Sequence, residues 1–548
     1  MKVRVCLDDA KKAEEVVRLC IEERNFLQVP AGKPCALLWI GNAEDSLHTA
    51  LETSGAPLIN RLPGLLELAH KERVPFTRLM ARVSRVSPAV HFVPRAWVLP
   101  DEAPALERAL ASGVGRVIVK PDGGSQGDGV FLAARWADVA PRAAECLVAQ
   151  AYVPAPLTLR GLKFDVRAYV LLECLSPLRV HLCRDGLARF ATAPYDGAPA
   201  RKLTAHLTNY SLNVRDAAYE HNDDPHDGAR GSKRSLRATL AELERTARGF
   251  DASSFWSQLE HIAAATCVAL QPSLLHAAAR LSLARRAAPP SARCFALLGF
   301  DVLVDEAHRL HLLEVNSNPS LQARAPPAPL PITPPARGGY PPAPPRPHLS
   351  PRLSFLPFLD IDVCEAAPAD LAPPTKGSRL TAAAHGAPCR CMEFGGAHVH
   401  RRCLVDEAVK RAAVGGAIDI LLRRPSEAYT DLAAAVGAAQ ATMGSIDRAR
   451  RAFEKCMDRR GVLTSTRARK LLRAAAGFGS AEADIAFLRA KHAALDNEVG
   501  LDAFIDMLLR LCESPPLDAG DSANLEARFS DMLGRIEEWI ADTSTNDA

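Results

Sequence analysis

The chain has 548 residues with 67 basic against 63 acidic side chains, a formal charge of +4, so its overall charge calls for neither nucleic acid nor an anionic membrane as partner. An apolar share of 48% belongs to a globular chain of about two to four domains, and the 14 cysteines lack disulfide-framework spacing. The N-terminal MKVRVCLDDAKKAEEVV has no apolar signal core, and no uninterrupted apolar run matches a bilayer. The expectation is therefore a soluble, non-secreted α/β protein with reduced thiols.

In chain order, Val3–Leu7 and Cys35–Ile40 read as strands, and Ala10–Glu23 and Gly64–His70 as helices. Pro94 and Pro100 close an N-terminal α/β domain over residues 1–100, in which Lys71, Arg73 and Arg78 read as surface charges. RVIVKPDGGSQGDGVFL, residues 116–132, is more specific. A strand ends at Lys120, a loop follows with Gly123, Gly124, Gly127 and Gly129, and a second strand begins at Val130. Glycines let backbone N–H groups approach a polyanion, and a lysine at the strand end adds a point charge. The loop joins strand to strand, so it is neither a dinucleotide-binding turn nor a Walker loop. By itself it is equally a hairpin with a long tip.

Leu147–Val153 is a strand stopped by Pro154 and Pro156, and its end, Gln150, Ala151, Tyr152 and Val153, could offer backbone donors and acceptors to a purine edge. Val166–Leu172 is a further strand, opening with Lys163-Phe164-Asp165-Val166-Arg167, which places Lys163 and Arg167 where phosphates would lie. Arg179–Leu182, Leu187–Thr192, the loop His206–Asn213 and a polar tract Glu220–Arg234 follow, then helical pattern over Ser235–Leu283. Ala296–Val304 and Leu310–Val315 flank a polar turn and predict a hairpin. Asp301 lies inside the first strand and Glu314 near the end of the second, with Asn316 two residues on and so on the same face. Three hard oxygens of this kind suit Mg²⁺ shared with substrate phosphates, although an isolated hairpin could equally turn its acids to water.

The ordered set VKPDGGSQGDG, GLKFDVRAYVL, LARFAT, HLTNYSLN, GSKRSL and LLGFDVLVD…LLEVNSNPSL resembles the tubulin tyrosine ligase-like family of ATP-grasp ligases. The likeness covers residues 1–322 and resumes at Val405–Leu422. It implies an ATP-grasp fold with a central subdomain over 101–190, a second subdomain with the metal site over 191–321, and a closing helix over 404–424. It implies ATP and Mg²⁺ as cofactors: Lys120 and Lys163 on the phosphates, Gln126 and Gly127 covering them, and Gln150 to Val153 around the adenine. Phe164, Asp165, Thr208 and Asn209 would complete the nucleotide site. Asp301, Glu314 and Asn316 would bind the metal, and Arg167, Lys163 and Glu314 would carry the chemistry. Arg189, Tyr210, Ser211 and Lys233 match positions that recognise the free amino acid, and the GSKR-type segment around Lys233 resembles the glutamate-adding branch. The implied function is a tubulin polyglutamylase that transfers L-glutamate to acidic tubulin tails. Its place would be the cytoplasmic cytoskeleton, at cilium, flagellum or basal body, with no nucleic-acid or membrane partner. Asp128 stands where many relatives carry a base, which leaves room for a silent microtubule-binding scaffold. A glycine-adding ligase is the third reading.

Residues 322–403 interrupt the likeness with a proline-rich insert expected not to pack. Within it Cys389, Cys391, His398, His400 and Cys403 could supply zinc ligands, although the Cys-x-Cys spacing is tight. Residues 425–548 predict a helical module with degenerate EF-hand loops, in which Arg460 and Arg467 occupy ligand positions, so no Ca²⁺ binding is expected.

Overall fold

Alternation along Leu162–Leu175 decides how the central sheet faces. Phe164, Val166, Ala168 and Val170 enter one apolar core, while Tyr169 and Leu171 enter a second core on the opposite face. The computed structural model describes residues 2–8, 14–41, 47, 49–51, 57–68, 74–121, 129–195, 203–208, 213, 216, 218–285, 293–321, 324–325, 365–366, 398–399, 401–458, 461–494, 498–513 and 522–546.

Three larger sheets follow one another. The first is parallel: β1 (Arg4–Asp8), β2 (Leu27–Val29), β3 (Leu37–Ile40) and β4 (Leu58–Ile59) lie in the order β2-β1-β3-β4. The helix Glu14–Glu23 makes the crossover that a parallel β1–β2 pair requires. The second sheet is antiparallel, with β5 (Ala96–Val98), β6 (Val117–Pro121), β7 (Phe131–Ala133) and β8 (Cys146–Ala151) in the order β5-β8-β6-β7. Trp97, Leu106, Val117, Val119 and Ala149 give it a core of its own.

The third sheet positions the site. β9 (Thr158–Leu159), β10 (Leu162–Leu175), β11 (Leu178–Phe190), β12 (Lys233–Ser235), β13 (Ala296–Val304) and β14 (Leu310–Asn316) share it with the strand Tyr429–Asp431. Its path is β12-β11-β10-β13-β14, antiparallel throughout, with β9 on β10 and Tyr429–Asp431 on β11. The two segments expected around Arg179 and Leu187 are one continuous strand. Asp185–Gly186 does not end it, because the extra residues are absorbed where Cys183, Arg184 and Asp185 stand opposite Tyr169. A Cβ on Gly186 would lie 2.5 Å from the Arg167 carbonyl oxygen, so only glycine permits that approach.

The helix Ala252–Arg285 covers one face of this sheet. Its stretch Ala252–Leu281 is long and apolar enough to cross a bilayer by length and composition, against the expectation of no such run. Yet 72% of its most apolar window is buried, which makes it a core helix. The helix Leu404–Leu421 covers the other face through Val405, Val409, Ala413, Val414 and Ile418. Arg324–Ala325 pairs antiparallel with Arg401–Arg402, so the chain leaves for the insert and returns from it side by side. The ends of the insert therefore meet in this short pair whatever lies between them.

After residue 425 come the helices Ala433–Cys456, Ser465–Ala476, Ser480–Ala493, Leu501–Cys512 and Ser522–Asn546. Phe453, Phe504 and Phe529 are fully buried in the same apolar cluster as Leu274 and Val83. Leu463 N–H donates to the Val499 carbonyl at 2.8 Å and so ties two interhelical loops together. Arg467 donates to the carbonyls of Cys456, at 3.1 Å, and Met457, at the end of the preceding helix. A guanidinium there complements the helix C-terminus at a place where a calcium loop would need a carboxylate. Arg460 lies outside the described residues.

Candidate active site

Registers across the third sheet set charged side chains in one transverse row. Lys233 on β12 faces Arg189 on β11, Arg189 faces Asp165 on β10, Arg167 on β10 faces Asp301 on β13, and Asp301 faces Glu314 on β14. The row therefore runs from a cationic end at β12 to an anionic end at β14. Each step is a cross-strand pair, whose side chains are near enough to interact directly.

The contacts follow the register. Arg189 donates to Asp165 through Nε at 2.7 Å and Nη2 at 2.6 Å, and its Nη2 lies 3.0 Å from Asp301. Arg167 grips Asp301 with both Nε and Nη2, the latter at 2.9 Å. Asp301 is 5% exposed, and burial alone would favour its neutral form. Arg167 and Arg189 outweigh burial and hold its carboxyl well below the usual carboxylate range. Asp165 and Asp301 in turn outweigh the desolvation of Arg189 and keep its guanidinium charged.

At the anionic end a bulge aims Glu314. Asp301 pairs with Glu314 but Val302 pairs with Leu312, which leaves Leu313 extra. Leu312 and Val315 can then both enter the core while Glu314 and Asn316 share the other face. Asn316 Nδ2 donates to Glu314 Oε1 and to the Gly299 carbonyl, both at 3.4 Å. Among the described residues, no group of three or more His, Cys, Asp or Glu side chains could hold a metal. Asp301, Glu314 and Asn316 nevertheless form an all-oxygen set on adjacent strands, the chemistry that suits a Mg²⁺ ion completing its shell with water and phosphate oxygens.

Lys120 lies on β6 of the second sheet, and Lys163 on β10 itself. Lys120 donates to Gln150 Oε1 at 2.9 Å. Lys120 and Gln150 line a cleft of about 470 Å³ together with Trp97, Val148, Leu313 and Glu314, so the β6–β8 sheet and the end of β14 share one cavity. Lys163 Nζ donates to the His206 carbonyl at 2.7 Å and the Tyr152 hydroxyl at 3.1 Å, and lies 4.7 Å from the centre of the Tyr152 ring. Burial pushes its pKa down to about 8, against the pull of Asp165. The Tyr152 hydroxyl and His206 Nδ1 are 3.0 Å apart.

Other expected site residues are engaged within the fold or lie outside the described residues. The N–H groups of Ala151 and Tyr152 donate to the Arg95 and Arg116 carbonyls at 2.7 and 2.9 Å, so these two donors serve the sheet rather than a purine edge. Val153 is buried directly after them. Phe164 stacks on Phe190 with ring centres 5.2 Å apart and turns into the core, away from the charged row. Thr208 is buried, and Asn213 ties Leu207 to Thr192: its Nδ2 donates to the Leu207 carbonyl at 2.7 Å, and its Oδ1 accepts from Thr192 N–H at 2.9 Å. Gln126, Gly127, Asp128, Asn209, Tyr210 and Ser211 lie outside the described residues, as do Lys71 and Arg73. So do Cys389, Cys391, His400 and the side chain of His398, whereas Cys403 is buried at the start of the closing helix.

Sequence reasoning did not single out Asp406 and Lys410. Asp406 accepts from Lys233 Nζ at 2.5 Å, and its other oxygen lies 3.0 Å from Lys410 Nζ. Burial would raise the Asp406 pKa, but Lys233 and Lys410 pull it down to about 2. A signal existed: in VDEAVKRAAV these two charges sit four apart on the stripe that Val405, Val409 and Ala413 bury.

Residues 50–333 match the tubulin-tyrosine ligase family. The chain belongs to that family. Its α/β architecture is accordingly that of an ATP-grasp-like ligase domain. Human "Tubulin polyglutamylase TTLL11" is 34% identical over 339 residues, covering 58% of this chain and 45% of that protein. The Caenorhabditis elegans "Tubulin polyglutamylase ttll-11" is 34% identical over 330 residues, covering 57% of this chain and 45% of its own length. The mouse "Tubulin polyglutamylase TTLL7" is 32% identical over 318 residues, 56% of this chain and 33% of the relative. The chain thus spans a third to just under half of the length of these relatives.

Proposed function

We propose that this protein is an ATP-dependent ligase that adds glutamate to glutamate side chains on acidic tubulin tails, acting on microtubules of the cytoskeleton and of cilia or flagella. The observation that carries the reading is the transverse row from Lys233 to Glu314, whose Glu314 end shares a cleft with Lys120. A cationic end suits the carboxylates of a free amino acid, and an anionic end suits a metal-bound triphosphate. The polyglutamylase names of the three relatives support the choice of tubulin and glutamate.

Lys120 and Lys163 would bind the phosphates of ATP. Asp301, Glu314 and Asn316 would hold Mg²⁺, which when bound neutralises phosphate oxygens. Arg167, fixed by Asp301, would orient the acceptor carboxylate as its oxygen bonds to the γ-phosphorus and ADP departs. The resulting acyl phosphate is attacked by the amine of the incoming glutamate. The C–N bond forms, inorganic phosphate leaves and the amine loses a proton. Arg189, fixed by Asp165, and Lys233 would hold the carboxylates of that glutamate. This is positioning and charge neutralisation rather than covalent catalysis by the protein.

Purified protein supplied with microtubules, ATP and each amino acid in turn, with mass spectrometry of the tubulin, tests the proposal. Glutamate adducts are expected with wild type and none with Glu314→Gln. Glycine adducts would move the chain to a glycine-adding branch. Co-sedimentation without any adduct would make it a scaffold.

A further inference from the structure

We infer that Asp406, on the helix that follows the insert, is a positioning residue for the amino-acid substrate: it fixes Lys233 at the cationic end of the row. The inference rests on the glutamate-ligase reading above. Lys233 sits on the short edge strand β12 and is 7% exposed. A lysine stem has four rotatable bonds, so the strand alone leaves its ammonium group undirected. Asp406 removes that freedom. It is 1% exposed, reaches Lys233 Nζ at 2.5 Å across 173 residues of sequence, and is itself steadied by Lys410 one helical turn later at 3.0 Å. Lys233 stands opposite Arg189 by register, so the anchored lysine and the arginine held by Asp165 and Asp301 leave the sheet on one face from neighbouring strands. Two separately anchored cations on neighbouring strands match a ligand with two carboxylates. Glycine, which has one, gains less from the pair.

A second observation places a polar group at the same spot. The Tyr169 hydroxyl is fully buried, has no hydrogen-bond partner among the described residues, and lies within the electrostatic reach of Arg167, Asp406, Lys233 and Arg189. On β10 it follows Asp165 and Arg167 at alternate positions, so it leaves the strand on the same face as they do.

The experiment measures steady-state glutamate incorporation into microtubules by Asp406→Asn, Lys233→Met and the double variant, with thermal melting as a check on folding. Asp406→Asn is expected to raise KM for glutamate by about tenfold to a hundredfold, the size of a lost charge-assisted contact. KM for ATP should stay within about twofold of wild type, because the nucleotide sits at the other end of the row. The double variant should be no worse than Lys233→Met, since Asp406 acts through that lysine. Asp406→Glu keeps the charge on a longer stem and should recover most of the loss; it also serves if the asparagine variant does not fold. Additive effects, or equal rises in both KM values, would overturn the inference while leaving the ligase reading intact. Failure of wild type to incorporate glutamate would overturn the reading itself, and this inference with it.

Discussion

Lys163 is the single residue whose charge state most directly couples the site to pH. Burial lowers its pKa to about 8, with Asp165 opposing, so near neutral pH it is protonated and ready to meet a phosphate. Two opposite pH dependences follow. The folded protein holds this proton less firmly than the unfolded chain, so the contribution of Lys163 to stability rises as pH climbs from about 8 towards the ordinary lysine value. A bound triphosphate instead favours the protonated lysine. Its Kd should therefore be flat below about pH 8 and weaken by up to about tenfold per pH unit above it. Fluorescence titration of nucleotide across that range, compared with Lys163→Met, checks this; the variant should bind weakly with no such inflection. An inflection common to both proteins would remove Lys163 from the phosphate site.

Among elements, the strands were far more legible than their pairing. Asp301, Glu314 and Asn316 could be read as one face because strand alternation is local. That Glu314 meets Asp301 depends on the bulge at Leu313, and nothing in LHLLEVN specifies which residue is extra. The resemblance implies Phe164 at the nucleotide, yet strand alternation sends it to the face opposite Lys163 and Asp165. The Lys233–Asp406 contact was out of reach for a different reason: it joins an edge strand to a helix beyond the insert, and only tertiary packing brings them together. The insert itself yields a prediction. Its stem pairs Arg324–Ala325 with Arg401–Arg402, so the closing helix returns through the stem whatever the insert's length. Replacing residues 330–396 with a short glycine-serine linker should leave KM for glutamate and ATP unchanged. Shortening the closed loop should also raise the melting temperature slightly, by the equivalent of about 1–2 kcal/mol. A rise in KM for glutamate alone would show that the insert takes part in the site.

At the scale of the whole molecule, the C-terminal helices are joined to the helix Val74–Val86 through Arg82. This arginine is 4% exposed and donates to Asp502 at 2.8 Å and Asp506 at 2.9 Å, whose side chains are 58% and 38% exposed. The asymmetry decides what each deletion costs. With Arg82→Met the stem still packs, and the two carboxylates return to water, so the loss should be about 1 kcal/mol or less. With Asp502→Asn and Asp506→Asn together, a buried guanidinium loses both counter-charges while remaining desolvated. That loss should be about 3 kcal/mol, larger although both changes are conservative and partly exposed. Urea melts of the three proteins read the difference directly. The larger loss should fall within one cooperative transition, because Val83 and Leu274 share their apolar cluster with Phe453, Phe504 and Phe529. A separate early transition in the double variant would instead mean that the C-terminal helices unfold by themselves, with the ion pair acting as a hinge contact rather than as part of a common core.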